Sequence, residues 1–224
     1  MTSEINYLET KYSFQSVIGE NDASRYISEY SIEIYGHCFD EDIEEMEPVL
    51  IGKAKVLLLL LGLADNNHYS YRYIFDNSMT MSELGGVIYD WEKDELKKKF
   101  EDWFIDSYNS NILFIDRIEI LPPYRSHGLG KKIIKDVLCR FSGCFGVMIL
   151  KALPLQHENK SAPINNDWDV QMEYNKMEQD EKMATKKLNT FYKSLGFTQL
   201  FKDDYFFYNS ALKNSKLDKI NINE

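Results

Sequence analysis

Cysteine, basic charge and long apolar runs are all in short supply in this chain of 224 residues. The three cysteines, Cys38, Cys139 and Cys144, show neither metal-ligand spacing nor even pairing. That sets aside a zinc site and a disulfide scaffold, and no metal is expected. Free thiols in a reducing compartment are expected instead, and with them a cytoplasmic location. Lys and Arg number 26 against 36 Asp and Glu, for a net charge of −10 and a pI of about 5.0. Nucleic-acid binders usually carry a basic stripe, whereas these lysines are scattered, so no nucleic-acid partner is expected. The apolar run Val56 to Leu61 falls far short of the roughly 20 residues that span a bilayer. The first ten residues contain Glu4 and Glu9 and no apolar stretch, so neither a membrane association nor a leader is expected. No internal repeat stands out.

What is present is a large apolar fraction. At 44% hydrophobic and 14% aromatic residues, the chain can bury a substantial core as one large domain or one domain with additions. Tyr12 to Gly19, Arg25 to Cys38 and Leu50 to Leu63 read as strands, and the continuous apolar half of the third suggests a sheet covered on both faces. Six of the eight residues from Asp40 to Glu47 are acidic, which reads as a solvated loop or the border of a cation-selecting groove. Met79 to Tyr89 and Asp94 to Ser107 read as helices. In the second, Phe100, Trp103, Phe104 and Tyr108 recur at helical spacing as a core stripe. Ile112 to Leu121, Gly128 to Phe141, Phe145 to Leu153, Met183 to Leu195 and Phe197 to Tyr208 then read strand, helix, strand, helix, strand. That order predicts an α/β (α+β) layered fold with a central mixed sheet. A polar stretch from Gln156 to Met183 is longer than compact connections usually are. It is read as an inserted arm at 157–182, helical over Asp169 to Glu181, and either surface, lid or partner face. The tail at 211–224 is polar, and fraying is expected there.

The chemistry sits near the middle, in Asn111-Ile-Leu-Phe-Ile-Asp-Arg-Ile-Glu-Ile-Leu-Pro-Pro-Tyr-Arg125-Ser-His-Gly128-Leu-Gly130-Lys-Lys. An apolar strand meets a Pro-Pro turn, then Arg-x-x-Gly-x-Gly, and a helix begins at once. Glycine lets the backbone approach a ligand closely. A helix start offers unpaired N–H groups and the positive end of its dipole. Together they make a phosphate cradle. The dinucleotide fingerprint needs a third glycine where Ile133 stands, and the Walker loop needs glycine and Ser/Thr where Arg125 and Lys132 stand. A second motif, Phe191-Tyr192-Lys-Ser-Leu-Gly196-Phe197, closes the last helix with Gly196 as its stop. By itself the glycine triplet would arise by chance in roughly a few per cent of chains this long. The strand before it, the helix after it and the downstream motif give it weight.

In this order the two motifs resemble those of the GNAT superfamily of acetyltransferases, over residues 111–208. Residues 1–110 match only in general pattern. The resemblance implies a GNAT-type layered fold, with a mostly antiparallel twisted sheet and helices on both faces, as a single domain over residues 1–210. It implies acetyl-CoA as the cofactor and transfer of acetyl to a primary amine on a small molecule or peptide. It also leaves open a CoA-binding module without catalysis that acts in regulation or assembly. The chain is expected as a monomer or homodimer. By the resemblance, the backbone of Ser126, His127, Gly128, Leu129, Gly130 and Lys131, after Arg125, holds the pyrophosphate. The fourth strand, parting from the fifth, pairs with the pantetheine arm through Ile118 and Ile120. The N–H of Ile120 polarises the thioester carbonyl. Tyr192 is the candidate acid for the departing thiolate, with core packing as the alternative. Glu119 is the leading candidate base, ahead of Asp116, with Asp40, Glu41 and Glu83 behind. Family members often carry asparagine seven residues before the tyrosine. Thr185 stands there, and Asn189, one turn later, is the substitute. Lys151-Ala-Leu-Pro-Leu-Gln156 resembles the end of the fifth strand in an uncharacterised branch of the family. Acceptors are expected to enter over residues 36–50, 79–90 and 157–182, two of which are strongly acidic.

Overall fold

In the computed structural model, residues 5–16, 22–37, 48–104, 107–158 and 167–222 are described. Six strands form one sheet in sequence order: β1 (Tyr7–Phe14), β2 (Ile27–His37), β3 (Val49–Leu59), β4 (Ile112–Ile120), β5 (Val147–Lys151) and β6 (Tyr205–Asn209). All neighbours are antiparallel except β4 and β5. The sheet is therefore mixed, as the order of elements implied, and mostly antiparallel, as the resemblance implied.

Helices cover both faces. On one side α5 (Leu129–Arg140) buries Leu129, Ile133, Ile134 and Val137 at helical spacing against Ile32, Val56, Leu58, Leu113 and Ile115. Beside it lies α7 (Glu181–Ser194), capped by Asp180, whose side chain accepts from the Met183 N–H at 2.9 Å. It stops at Gly196, where φ is +84°, a conformation that favours glycine. On the other side α1 (Leu61–Asn66), α2 (Tyr71–Phe75), α3 (Met79–Ile88) and α4 (Lys98–Phe104) pack on Leu57, Leu59, Ile112, Phe114, Val147 and Ile149. Side chains alternate across a strand. The apolar run of β3 is continuous because it feeds both cores.

Several boundaries differ from the sequence reading. β3 stops at Leu59 and α1 takes Leu61 to Asn66, so the apolar run spans two elements. The helix expected over 94–107 shortens to α4, because Tyr89 and Asp90 pair with Leu96 and Glu95 in a two-residue ladder turned at Asp94. Phe100 is fully buried, Trp103 and Phe104 are partly buried, and Tyr108 lies outside the helix, fully exposed. Of the strand expected over 197–208, only β6 is regular, joined by a bridge from Phe207 to Thr198. The tail does not fray where described. Helix α8 (Ser215–Asp218) buries Leu217 in the core, and the Asn214 amide donates to the Leu195 carbonyl at 3.0 Å. Cys38, the acidic run 40–47 and residues 159–166 lie outside the described residues. Among the described residues, no helix is long and apolar enough to cross a membrane.

Candidate active site at the split in the sheet

Register places the site. The β3–β4 ladder runs Lys55 to Arg117 and then Val56 to Ile115, skipping Asp116. That extra residue is a β-bulge, which bends a strand and sharpens its twist. On the opposite edge, β4 pairs with β5 only over Ile112–Ile115 and Val147–Leu150. Past the bulge β4 runs on with β3 alone, and the two central strands part.

Alternation shows which backbone groups face the gap. The Leu121 N–H donates to the Ile51 carbonyl at 2.9 Å. In an antiparallel ladder, residues alternate in which edge their backbone groups face. Ile118 and Ile120 therefore turn theirs away from β3, toward the parted strand. The Ile120 carbonyl confirms the direction, because it accepts from Arg125 Nε at 2.8 Å rather than from a strand.

The loop after β4 is shaped for close approach. A 3-10 turn, Pro122–Tyr124, leads to Arg125; Ser126 (φ +65°) and Gly128 (φ +76°) are both left-handed, and α5 begins at Leu129. A left-handed serine costs about 1 kcal/mol or more and marks a loop held in shape by its surroundings. Ser126, His127 and Lys131 are exposed, while the Leu129 side chain is buried in the core, so Leu129 offers a ligand only its backbone. The N–H groups of Leu129, Gly130 and Lys131 have no acceptor one turn back in the helix. A Cβ on Gly130 would lie 3.6 Å from the Phe191 ring, an ordinary van der Waals contact. The Arg125 guanidinium is turned from the cradle. Besides Ile120 it donates to the Met172 carbonyl at 2.6 Å, clamping loop and arm together.

Helix α7 presents Thr185, Asn189 and Tyr192 at i, i+4 and i+7, one face of the helix. Asn189 donates to Asp204 at 3.4 Å, and its Oδ1 is buried without a partner. With Thr185, Lys186, Lys193 and Asp204 it lines an open cleft of about 1060 Å³, which includes neither Glu119 nor the loop after Arg125. The Tyr192 ring packs against Phe191, Phe206 and Phe197, with centroids 5.3, 5.5 and 6.4 Å away. Burial pushes its hydroxyl up to about 12. The phenol therefore keeps its proton throughout the neutral range.

Glu119 is not a solvent-facing strand acid. It is 7% exposed. Its two oxygens accept from the Trp168 indole N–H at 2.9 Å and the Tyr174 hydroxyl at 3.0 Å. Arg117, 3.9 Å away, also pairs with Asp116 and with Glu158. Glu83 pairs with Lys151 at 2.7 Å. Asp40 and Glu41 lie outside the described residues.

Trp168 and Tyr174 belong to the arm, and the sequence reading passed over them. The arm's described part is α6 (Asp167–Gln171), a 3-10 turn at Tyr174–Lys176, and the cap of α7. Its buried anchor is Met172, 2% exposed. The available signal was compositional, since Trp168, Met172 and Tyr174 are large side chains within a mostly polar stretch.

A phosphorylated, amide-bearing cofactor fits what is present. There is a left-handed loop at a helix start and strand backbone facing a gap, while the orphaned amide oxygen on Asn189 lies in the separate cleft along α7. Among the described residues, no His, Cys, Asp and Glu cluster could hold a metal ion.

No protein-family model matches the chain. No curated protein matches it either. Solved structures with some likeness include a tyrosine-to-phenylalanine mutant of KacT (TM-score 0.38, 13% identity, 84% of this chain and 73% of that one). Another is a KacTA–DNA complex (TM-score 0.37, 9% identity, 90% and 94%). A third is a tyrosine-to-phenylalanine mutant of the AtaT toxin bound to the C-terminus of the antitoxin AtaR (TM-score 0.35, 9% identity, 90% and 92%). At these TM-scores the likeness carries no weight for fold or activity.

Proposed function

We propose that the chain transfers an acetyl group from acetyl-CoA to a primary amine, as a member of the GNAT superfamily. The observation that carries this reading is the split between β4 and β5. It turns the backbone of Ile118 and Ile120 toward a gap, beside a left-handed loop at the start of α5.

When bound, acetyl-CoA supplies the acetyl group as an activated thioester. The N–H groups of the loop from Ser126 to Lys131 hold phosphate oxygens at the positive end of α5. Ile118 and Ile120 offer the strand backbone to the amide-bearing arm, and the Ile120 N–H stabilises negative charge on a carbonyl oxygen. Asn189 offers its unpartnered oxygen to a donor. Glu119 receives a proton from the acceptor's nitrogen, because an ammonium with a pKa near 10 must lose one to become a nucleophile. Tyr192 would offer its phenolic O–H as a hydrogen-bond donor to the sulfur as it departs. With a pKa of about 12, it would stabilise the developing thiolate, whose thiol pKa lies near 8.5 if cysteine is the guide, without ionising itself.

A second reading has its own support. Both Glu119 oxygens are engaged by the arm, which suits a CoA-binding module without catalysis. Binding cannot separate the two readings, but turnover can. Release of CoA with a panel of amines, peptides and aminoglycosides is expected to exceed background for at least one cationic acceptor. CoA binding with no release for any acceptor would favour the module. A larger thermal shift with ATP than with CoA at matched concentration would end both readings.

A further inference from the structure

The Lys53 ammonium lies 4.3 Å from the centroid of the Trp168 ring. Lys53 stands on β3 directly across the ladder from Glu119. Opposite charges in that relation ordinarily pair. Here, among the described residues, no carboxylate lies within ion-pair distance of Lys53. The two Glu119 oxygens are taken by Trp168 Nε1 and the Tyr174 hydroxyl. The glutamate thus fixes the indole by its N–H edge, and the ring face is left for a cation. An indole face attracts an ammonium through its quadrupole. Lys53 and Trp168 are both only partly buried, so the contact is not sealed within the core, and the lysine has a flexible stem.

We propose that the Trp168 face is the seat for the acceptor's ammonium and that Lys53 is its built-in occupant. The ligand class is a primary alkylammonium, of the shape at the end of a lysine side chain. A lysine that fills the seat in the resting chain acts as an internal competitor. An acceptor must displace it before its nitrogen reaches Glu119. The inference rests on the proposed function for the role of Glu119, whereas the seat itself rests on the contacts above.

The seat is tested without catalysis. Butylammonium chloride is titrated into the wild-type protein, Lys53→Met and Trp168→Phe, with indole fluorescence as the readout and sodium chloride as the control. Lys53→Met keeps the apolar stem and removes the charge. It is expected to tighten apparent butylammonium binding about fivefold. That is the affinity equivalent of removing a competing contact of about 1 kcal/mol. Lys53→Arg keeps a cation on the ring and is expected to stay near wild type. Trp168→Phe is expected to lose the saturable signal, although Trp91 and Trp103 still report on the protein. Equal affinity in Lys53→Met and wild type, with unchanged melting temperatures, would overturn the competitor. A saturable signal that persists in Trp168→Phe would overturn the seat. Turnover separates this inference from the one beneath it. Butylammonium binding without CoA release on any amine would leave the seat and remove the transferase. CoA release with an amine KM unaltered by Lys53→Met would leave the transferase and remove the competitor.

Discussion

At the scale of single residues, Gly128 and Tyr192 bear the most direct tests. Gly128 is left-handed at φ +76° at the start of α5. A glutamate there would be strained and would bring negative charge to the proposed phosphate cradle. Gly128→Glu is expected to abolish CoA binding in calorimetry while circular dichroism still reports a folded chain. A folded variant with wild-type affinity would remove the loop assignment. Tyr192→Phe deletes only the hydroxyl, leaving the ring on Phe191, Phe197 and Phe206. If stabilisation of the departing sulfur limits the rate, kcat should fall about 10²-fold with CoA affinity unchanged. A kcat equal to wild type would make Tyr192 a packing residue.

At the scale of elements, the arm and the loop are one mechanical unit. Arg125 ties the Ile120 carbonyl on β4 to the Met172 carbonyl on the arm. Hydrogen bonds from a charged donor contribute about 1.5–3 kcal/mol. Arg125→Met keeps much of the side-chain volume and removes both bonds. Faster amide exchange across residues 167–176, with little change in β1 to β3, is the expected result. Uniform exchange in the two proteins would show that Met172 and the bonds to Glu119 hold the arm without the clamp. CoA affinity should fall with the same substitution, since Arg125 sets the course of the chain into the cradle.

At the scale of the whole molecule, two charge effects can be measured. Burial raises the hydroxyl pKa of Tyr89 and Tyr192 to about 12, and those of Tyr12, Tyr71, Tyr174 and Tyr205 are raised as well, also chiefly by burial. A folded-state pKa above the unfolded value of about 10 stabilises the fold fully below pH 10. The contribution is lost as pH rises through the folded value near 12. Each such tyrosine tilts stability by at most about 1.4 kcal/mol per pH unit, and by less where it is partly exposed. The melting temperature is expected to hold from pH 8 to 9.5 and to fall steeply between pH 10 and 12. A flat profile across that window would show that these hydroxyls ionise as readily in the fold as out of it. The second effect follows from the net charge of −10. Salt screens exposed carboxylates, so KM for a cationic amine should rise with ionic strength while KM for acetyl-CoA moves less. A preference for anionic acceptors would argue against an acidic entrance.

The sequence by itself determined what local pattern can carry. The apolar run of β3, the strand–turn–helix around Arg125 to Gly130, and the helix closed by Gly196 were legible because periodicity and glycine chemistry act over a few residues. It also put Ile118, Ile120 and Tyr192 forward, through motif order. Tertiary structure alone decided the rest. The bulge at Asp116 is a mismatch between two strands, and nothing within β4 announces it. The end of pairing at Ile115 depends on β5, more than thirty residues downstream. The place of Glu119 on its strand puts it forward as a base, but its burial beneath Trp168 and Tyr174 was not legible. Nothing local marks Lys53, which register sets across from that glutamate and against the indole face. The physical reason is the same in each case. Register and docking are set by contacts between segments far apart in sequence, and a local pattern does not record which segments will meet.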